Sequence, residues 1–386
     1  MIQTANRLNS VQEYYFSRKL EEIRQMNLAG KDVINLGIGS PDLAPAEAVV
    51  DALHQSARKD NNHGYQSYRS IEELRIAIAE FYKTHFNVNL DPKTEVLPLL
   101  GSKEGVMYIS MAFLNPGDIV LVPNPGYPAY EAVAKMIEAE PIRYDLKSND
   151  NWAPDLASID SDIVEKAKIM WVNYPNMPTG ATGSKEIFQE LIDFGKANDI
   201  LICNDNPYSF ILNDKPMSIL EQDENLEHCL ELNSLSKAYN MAGWRVGMVS
   251  GNQDYINAIL KVKSNVDSGM FRPVQEAAIT ALGLSKEWID ENNVIYKSRK
   301  KFAQELLDTI GCIYDESQVG MFVWATNPEG RKSEEFIDEI LQKANVFVTP
   351  GTIFGTNGEG FVRVSLCSTE EKFRESIERI KQAGIS

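Results

Sequence analysis

The stretch HCLELNSLSKAYNMAGWRVGMVSG (228–251) contains two short apolar runs, one before and one after a polar loop. Similar runs precede it along the chain: VLPLL (96–100), DIVLVP (118–123), KIMWVNYP (168–175) and DILICND (199–205). Longer amphipathic segments separate the runs, and this alternation predicts a mostly parallel sheet flanked by helices. Because ligands bind beyond the carboxyl ends of the strands in such sheets, the residues that follow each run are the first candidates for a functional site.

The C-terminal part of the chain has a different pattern. A long amphipathic helix is predicted from residue 285 to about residue 310, followed by strands at FVWAT (322–326), NVFVTPG (345–351) and GFVRVSL (360–366). At 386 residues the chain exceeds the usual size of one domain. We therefore expect an α/β protein with a large domain, 46–284, and a smaller α+β domain that combines 1–45 with 285–386.

Composition narrows the possible partners. The net charge of −17 disfavours nucleic acid, because no basic run provides a footprint for a phosphate backbone. The N-terminus has no apolar core typical of a signal peptide, and no apolar run approaches a membrane span, so we expect a soluble cytoplasmic protein. The four cysteines and four histidines lack metal-ligand spacing, so no metal site is predicted.

The loop after HCLELNS carries groups that could bind a phosphate. Ser234 and Ser236 offer hydroxyls and Arg245 offers a guanidinium, with Lys237 within reach of whatever molecule carries the phosphate. A lysine amine placed there would form a Schiff base with an aldehyde or ketone. For Lys237 taken alone, a polar surface loop is the competing interpretation.

Three other strand ends carry candidate side chains. Asp205 ends DILICND and could pair with the protonated nitrogen of a pyridine ring, while Tyr208 could donate to the ring's phenolic oxygen. Ser102 and Lys103 open a predicted helix after VLPLL, where free backbone N–H groups form an anion site. Tyr127 follows DIVLVP and is a candidate for stacking on a flat ring. Each residue alone also fits a turn, a helix cap or core packing.

Together and in this order, the motifs resemble the class I/II aminotransferases of fold type I, the aspartate-aminotransferase-like superfamily. The resemblance covers almost the whole chain. Its motifs are NLGIGSPD (35–42), GYQSYRSIEELR (64–75), GSKEG (101–105), PGYPAY (125–130), YPNMPTG (174–180), NDNPY (204–208), SLSKAYNMAGWRVG (234–247) and VRVSL (362–366). It implies a pyridoxal-phosphate-dependent aminotransferase that moves an amino group between an L-amino acid and a 2-oxo acid through a Schiff base on Lys237.

The resemblance also implies a role for each matching residue. Lys237 would hold the cofactor and shuttle the proton, Asp205 would pair with the pyridine nitrogen, Tyr208 would donate to O3′ and Tyr127 would stack on the ring. The phosphate would be bound by Ser102, Lys103, Ser234, Ser236 and Arg245, and by Tyr65 from the partner subunit of a homodimer. The substrate's α-carboxylate would be bound by Arg363, whose planar fork suits a carboxylate, and by the backbone of Gly39.

Two positions depart from the family pattern. Met177 stands where the family has an asparagine that binds the cofactor, and Asn176, one place earlier, could replace it only if the loop shifts register. Ser70 stands where a glycine is common, which could alter the local turn. Substrate specificity is expected from Tyr14, Tyr15, Ile38 and the partner's 264–273 segment, in which Arg272 could anchor a second carboxylate.

Other functions use the same residues. A carbon–sulfur lyase or another pyridoxal-phosphate enzyme of this fold is the main alternative, because the cofactor stabilises whichever carbanion forms. A non-catalytic regulator is disfavoured because no DNA-binding extension is present. A dinucleotide-binding dehydrogenase is excluded at GIGSPD, where Pro41 and Asp42 replace the helix opening and the third glycine that such a site needs.

Overall fold

The structure is a computed structural model that describes residues 2–11, 15–328 and 330–385. Its strands are β1 Ile34–Asn35, β2 Val96–Leu99, β3 Ile119–Asn124, β4 Glu140–Asp145, β5 Ala167–Val172, β6 Leu201–Asp205, β7 Cys229–Ser234, β8 Gly247–Gly251, β9 Ile313–Tyr314, β10 Phe322–Thr326, β11 Val346–Phe347, β12 Thr349–Pro350 and β13 Phe361–Ser365. Its helices are α1 Tyr15–Leu28, α2 Glu47–Ala57, α3 Glu72–Phe86, α4 Ser102–Phe113, α5 Pro128–Met136, α6 Ser161–Val164, α7 Lys185–Asn198, α8 Gln253–Lys263, α9 Arg272–Leu282, α10 Lys286–Thr309, α11 Ser333–Ala344 and α12 Glu370–Gln382.

The predicted large sheet has seven strands in the order β2-β8-β7-β6-β5-β3-β4. The pairs from β7 through β6, β5 and β3 to β4 are parallel, whereas β8 runs antiparallel to both β7 and β2. The mostly parallel sheet is therefore confirmed. β4 was not among the predicted runs, because EPIRYD has a single β-branched residue and most of its side chains stay at least partly exposed.

Helices cover the sheet and leave the carboxyl ends of its central strands open. β6 and β7 are buried along almost their whole length, as is typical of parallel strands covered on both faces. α4 begins at Ser102 directly after β2, and Pro128 opens α5 after β3, where a missing N–H costs no helical hydrogen bond. The ends of β6 and β7 and the start of α4 therefore meet at one edge.

The C-terminal elements form a second, four-stranded sheet in the order β12-β13-β10-β9. The long helix predicted from residue 285 is present as α10, and it packs on α12. The N-terminal segment contacts these elements: β1 pairs in parallel with β11, and Lys19 Nζ of α1 lies 3.3 Å from Asp338 Oδ1 of α11. None of the helices within the described ranges combines the length and apolar composition that a bilayer crossing needs.

Candidate active site

A cavity of about 610 Å³ lies where the carboxyl ends of β6 and β7 face the second sheet. It collects most of the residues predicted from the sequence, together with several that were not predicted. Its lining consists of Phe16, Ser17, Leu20, Ile38, Gly39, Ser102, Lys103, Tyr127, Tyr130, Asn173, Met177, Asp205, Pro207, Tyr208, Ser234, Ser236, Lys237, Ala242, Arg245, Phe322, Phe354 and Arg363. A volume of this size is in the ordinary range for a small-molecule or cofactor site.

Lys237 projects into this cavity from the loop that follows β7. Its Nζ donates a hydrogen bond of 2.5 Å to the carbonyl oxygen of Gly39. Burial lowers the pKa of the Lys237 ammonium, because a low-dielectric environment disfavours the charged form, while Cys367 and Asp205 oppose this effect and Arg363 and Arg245 add to it. A larger neutral fraction of the amine favours both nucleophilic attack and proton uptake.

Asp205 ends β6 and is buried, with 5 % of its surface exposed. One carboxylate oxygen, Oδ2, accepts a hydrogen bond of 2.9 Å from the Tyr130 hydroxyl. The other, Oδ1, is buried and has no hydrogen-bond partner among the described residues. Burial raises the pKa of the Asp205 carboxyl to about 6, and the Tyr130 hydrogen bond and the positive charge of Lys237 pull it down. A protonated pyridine nitrogen would supply the partner that Oδ1 lacks.

A set of hydroxyl, guanidinium and backbone N–H groups lies at one end of the cavity. The Ser234 hydroxyl donates to Ser236 Oγ at 2.8 Å, and Arg245 Nη1 lies 3.5 Å from the same Ser236 oxygen. Gly101, which precedes α4, has a φ of +87°, and a Cβ at this position would lie 2.1 Å from Arg245 Nη2. Only glycine lets the guanidinium approach the N-terminus of α4 this closely, and the combination suits a phosphate group.

Three further predicted residues also line the cavity. Lys103 lies in the first turn of α4, and burial, followed by the charge of Arg245, lowers its pKa. Tyr127 precedes α5 and packs edge-on against Tyr130, with ring centroids 5.5 Å apart. Tyr208 lies on the loop after β6 with 8 % of its surface exposed.

Arg363 lies at the opposite end of the cavity, on β13, with 3 % of its surface exposed. Its Nη2 donates to the carbonyl oxygen of Gly37 at 2.9 Å. Three aromatic rings surround the guanidinium, with centroids at 3.9 Å for Phe322, 4.6 Å for Phe354 and 5.7 Å for Phe16. Rings that exclude water strengthen the attraction between this cation and a bound carboxylate.

The loop after β5 corrects one prediction. Asn176 lies outside the cavity lining, and its amide is hydrogen-bonded within the loop: Nδ2 donates to Asn173 O at 3.2 Å and Oδ1 accepts from Thr179 Oγ1 at 2.8 Å. Met177 lines the cavity instead, with its sulfur 3.2 Å from Arg363 Nη1. Asn176 therefore does not take the place of the family's asparagine in this geometry.

Asn173 and Tyr130 belong to the site but were not predicted. Asn173 lines the cavity, accepts from Met177 N at 2.7 Å and donates to the backbone oxygen of Asp205. It directly follows β5, so the rule that residues after each strand are informative could have found it. Tyr130 is the second tyrosine of PGYPAY, and no local signal separates it from a packing residue.

The residues expected to determine specificity are only partly in the lining. Ile38 lines the cavity, whereas Tyr15 packs edge-on against Phe16 at 5.8 Å without entering the lining. Tyr14 lies outside the described residues. Arg272 opens α9 away from the cavity lining, and its Nε lies 2.9 Å from Glu276 Oε1.

Tyr65 and Ser70 lie on the segment between α2 and α3. Tyr65 is 93 % exposed on this chain and does not reach the chain's own cavity. Ser70 has a φ of +66°, so the turn keeps the left-handed conformation that glycine would favour. The serine is therefore accommodated in that conformation, and its carbonyl accepts a hydrogen bond of 2.8 Å from Arg75 Nη1.

The family profile described as aminotransferase class I and II matches residues 31–380 of the chain. The chain belongs to this aminotransferase family. It is 42% identical to the LL-diaminopimelate aminotransferase of Aquifex aeolicus, with 100% of both chains covered, and 38% identical to that of Moorella thermoacetica, with 99% and 98% covered.

Solved structures agree with this family assignment. Substrate-bound BacF from Bacillus subtilis superposes with a TM-score of 0.94 at 37% identity, covering 99% of this chain and 98% of that one. An aminotransferase from Staphylococcus aureus superposes with a TM-score of 0.90 at 32% identity, covering 99% and 100%. The fold type I prediction is confirmed, and the protein is a pyridoxal-phosphate-dependent aminotransferase. The lyase alternative receives no support.

Proposed function

We propose that transamination takes place in the cavity between Lys237 and Arg363. One observation carries this proposal. The buried Asp205 Oδ1 has no partner among the described residues, and it lines the same cavity as the Lys237 amine. A pyridoxal phosphate molecule would satisfy it with its ring nitrogen while its phosphate lies among Ser102, Lys103, Ser234, Ser236 and Arg245.

The cofactor, when bound, supplies an electron sink that stabilises a carbanion at the substrate's α-carbon. The chain's own residues do the rest. Lys237 removes the α-proton with its amine and returns a proton where the product needs it. Asp205 would hold the ring nitrogen in its protonated form, and Tyr208 would donate to the phenolic oxygen. Tyr127 would stack on the ring, and Asn173 supports this site through its hydrogen bond to the backbone oxygen of Asp205.

Arg363 binds the α-carboxylate of the amino acid in this proposal, and the backbone of Gly39 assists. The aromatic rings of Phe16, Phe322 and Phe354 exclude water from the guanidinium. A carboxylate held there would place the α-carbon near Lys237, whose Nζ is 2.5 Å from Gly39 O. Orientation of this kind contributes a large part of the rate in enzyme reactions.

The proposal includes a homodimer in which Tyr65 binds the phosphate of the partner subunit's cofactor. Tyr65 is 93 % exposed, and other exposed apolar side chains, Val266 at 61 %, Phe271 at 45 % and Tyr68 at 44 %, support a protein interface on this chain. The expected division into 46–284 and 1–45 with 285–386 also belongs to the proposal. So does a cytoplasmic location, which the free cysteines support because they fit a reducing compartment.

Product analysis tests the reaction. Holoenzyme is incubated with an amino acid and either 2-oxoglutarate or pyruvate, and the new amino acid and the new 2-oxo acid are quantified. Equal amounts of the two products are expected, with no turnover when the 2-oxo acid is omitted. Release of ammonia and pyruvate without an acceptor would contradict transamination and favour a lyase. A monomeric variant that retained the cofactor fully would contradict the shared site.

The amino donor has two candidates. The names of the relatives favour LL-diaminopimelate, which carries a second amino and a second carboxylate group at its far end. The lining of this chain's own cavity favours an apolar donor.

A further inference from the structure

We infer that this enzyme selects amino donors with an uncharged, apolar side chain, and that Phe16, Leu20 and Ile38 form the wall against which that side chain packs. The inference rests on the proposed function, since it takes Lys237 and Arg363 as the groups that hold the reacting end of the amino acid. It concerns the remaining end, which neither residue binds.

Each charged side chain in the described cavity lining already has a role in the proposed function. Lys103 and Arg245 belong to the phosphate end, Asp205 to the ring nitrogen, Lys237 to the α-carbon and Arg363 to the α-carboxylate. Among the described lining residues these are all the charged groups. The chain's own described residues therefore supply no cation for a second carboxylate and no anion for a second ammonium group.

An apolar wall borders the space between Lys237 and Arg363. Ile38 immediately precedes Gly39, whose carbonyl oxygen is 2.5 Å from Lys237 Nζ. Phe16 of α1 lies on the Arg363 side, with its ring centroid 5.7 Å from the guanidinium carbon. Leu20 follows one helical turn later and also lines the cavity, so both side chains extend from the same face of α1.

The other described residues at this end of the cavity are also uncharged. Phe322 and Phe354 continue the wall, and Ser17 adds a neutral hydroxyl. The Phe322 ring is packed closely under Gly39, where a Cβ would lie 2.3 Å from its Cζ. A distal charge placed among these groups would lose its hydration without gaining a partner, whereas an alkyl or aryl side chain would gain from burial.

Arg272, the possible anchor for a second carboxylate, has an acidic partner on its own helix. Its Nε lies 2.9 Å from Glu276 Oε1, and Lys59 Nζ lies 3.2 Å from the other oxygen of the same carboxylate. A substrate carboxylate would have to compete with Glu276 for this guanidinium. The arrangement therefore disfavours Arg272 as the anchor of a dicarboxylic donor.

The half-reaction with a single donor tests this inference without the complication of an acceptor. Full-length holoenzyme is mixed with L-phenylalanine, L-leucine, LL-diaminopimelate or L-aspartate, and conversion of the bound cofactor to its amino form is followed by absorbance. We expect the second-order rate constant for phenylalanine or leucine to exceed that for either charged donor by roughly tenfold or more. This is the degree of discrimination that apolar pockets usually provide.

The possible outcomes separate the two proposals. LL-diaminopimelate or aspartate reacting as fast as the apolar donors would overturn the inference and leave transamination intact. Failure of every donor to convert the cofactor would overturn the proposed function, and the inference with it.

A matched pair of variants on α1 tests whether Leu20 contacts the side chain of the amino donor. Leu20→Arg places a cation at the cavity, and we expect it to improve aspartate relative to phenylalanine at least roughly tenfold, since the guanidinium can pair with the donor's distal carboxylate from a position that is 42 % exposed in this chain. Leu28→Arg makes the same change at the far end of α1, where the side chain is 70 % exposed and outside the lining, and should leave the ratio unaltered. An equal effect of both variants, or no effect of Leu20→Arg, would contradict the role of Leu20.

Discussion

The two ends of the cavity are built in different ways. At the cofactor end, the polar groups come from the loops after β6 and β7 and from the start of α4, and they contact one another through short hydrogen bonds such as Ser234 to Ser236 at 2.8 Å. At the substrate end, the guanidinium of Arg363 is surrounded by rings from α1, from β10 and from the segment after β12. Motifs of a few residues therefore form the cofactor end, whereas packing between distant segments forms the substrate end.

The largest expected effect is at the cofactor end. Lys237→Ala removes the amine that binds the cofactor covalently and carries the proton, so turnover should fall by roughly 10³-fold or more. The absorbance of the Schiff base should disappear as well, while the phosphate-binding groups retain some cofactor without a covalent bond. Stopped assays together with an absorbance spectrum check both results, and activity close to that of the wild type would rule out Lys237.

The next largest effect is expected at Asp205, which also lies at the cofactor end. Asp205→Asn keeps the shape of the side chain but removes the charge that holds the ring nitrogen protonated, so turnover should fall on the order of a hundredfold or more. The hydrogen bond from Tyr130 can persist on the amide oxygen, so the variant should stay folded, which circular dichroism can verify. Unchanged turnover in a folded variant would remove Asp205 from its proposed role.

A substitution at the substrate end should weaken binding of the amino donor and leave the chemical step unaltered. Arg363→Lys keeps the positive charge but loses the planar fork, so the Michaelis constant for the amino donor should rise roughly tenfold or more while cofactor binding stays the same. Donor titrations at saturating acceptor, with cofactor content measured in parallel, distinguish an effect on donor binding from an effect on cofactor binding. An unaltered Michaelis constant for every donor would show that Arg363 does not bind the α-carboxylate.

The pKa of Asp205 predicts a stability effect in the cofactor-free protein. Burial raises this pKa from an ordinary 3.8 to about 6, so the folded state binds the proton more tightly than the unfolded chain. The contribution of this group therefore favours folding below its unfolded pKa and is lost as pH rises through about 6. Between pH 5 and pH 7.5, wild-type protein should lose on the order of 1 kcal/mol of unfolding free energy relative to Asp205→Asn.

Urea unfolding at the two pH values measures this difference. Asp51→Asn, an exposed substitution on α2, serves as the control. If the difference in unfolding free energy between the wild type and Asp205→Asn is the same at pH 5 and pH 7.5, the Asp205 carboxyl is not the buried titrating group that the geometry describes.

The smallest effect concerns Met177, which lies between the two ends. A thioether cannot donate a hydrogen bond to the cofactor's O3′, so Tyr208 would be the main donor there. Met177→Asn should restore a second donor and lower the pKa of the Schiff base by up to about 1 unit, because donation to the phenolate favours the unprotonated imine. Spectroscopic pH titration measures this shift. Asn176→Ala should leave the pKa unaltered, and a sharp rise in that variant would make Asn176 the donor.

The sequence predicted the cofactor end far better than the substrate end. Asp205 and Ser234 each end a β-branched or apolar run, so the runs and the rule that ligands bind beyond the carboxyl ends of parallel strands were enough to select both residues. Asn176 was assigned to the site because it neighbours Met177, and only the loop geometry, in which its amide is bonded to Thr179 and Asn173, shows otherwise.

The substrate end gave no comparable local signal. Phe16, Phe322 and Phe354 are ordinary core residues in their own helix, strand or loop, and they become site residues only where α1 and the second sheet meet the first sheet. Long-range packing of this kind leaves no periodic trace in the sequence, so these residues were missed. Arg363 was predicted only because its flanks, VRVSL, resemble a family motif.

The most direct test of the central claim is chemical trapping of the cofactor. Holoenzyme is reduced with borohydride, digested, and mapped by mass spectrometry for the lysine that carries the reduced cofactor. We expect one labelled peptide per chain, with the label on Lys237 and none on Lys103, which also lines the cavity. A label on Lys103 or on any other lysine would contradict the account, because the geometry around Asp205 and Arg363 would then not be that of the active site.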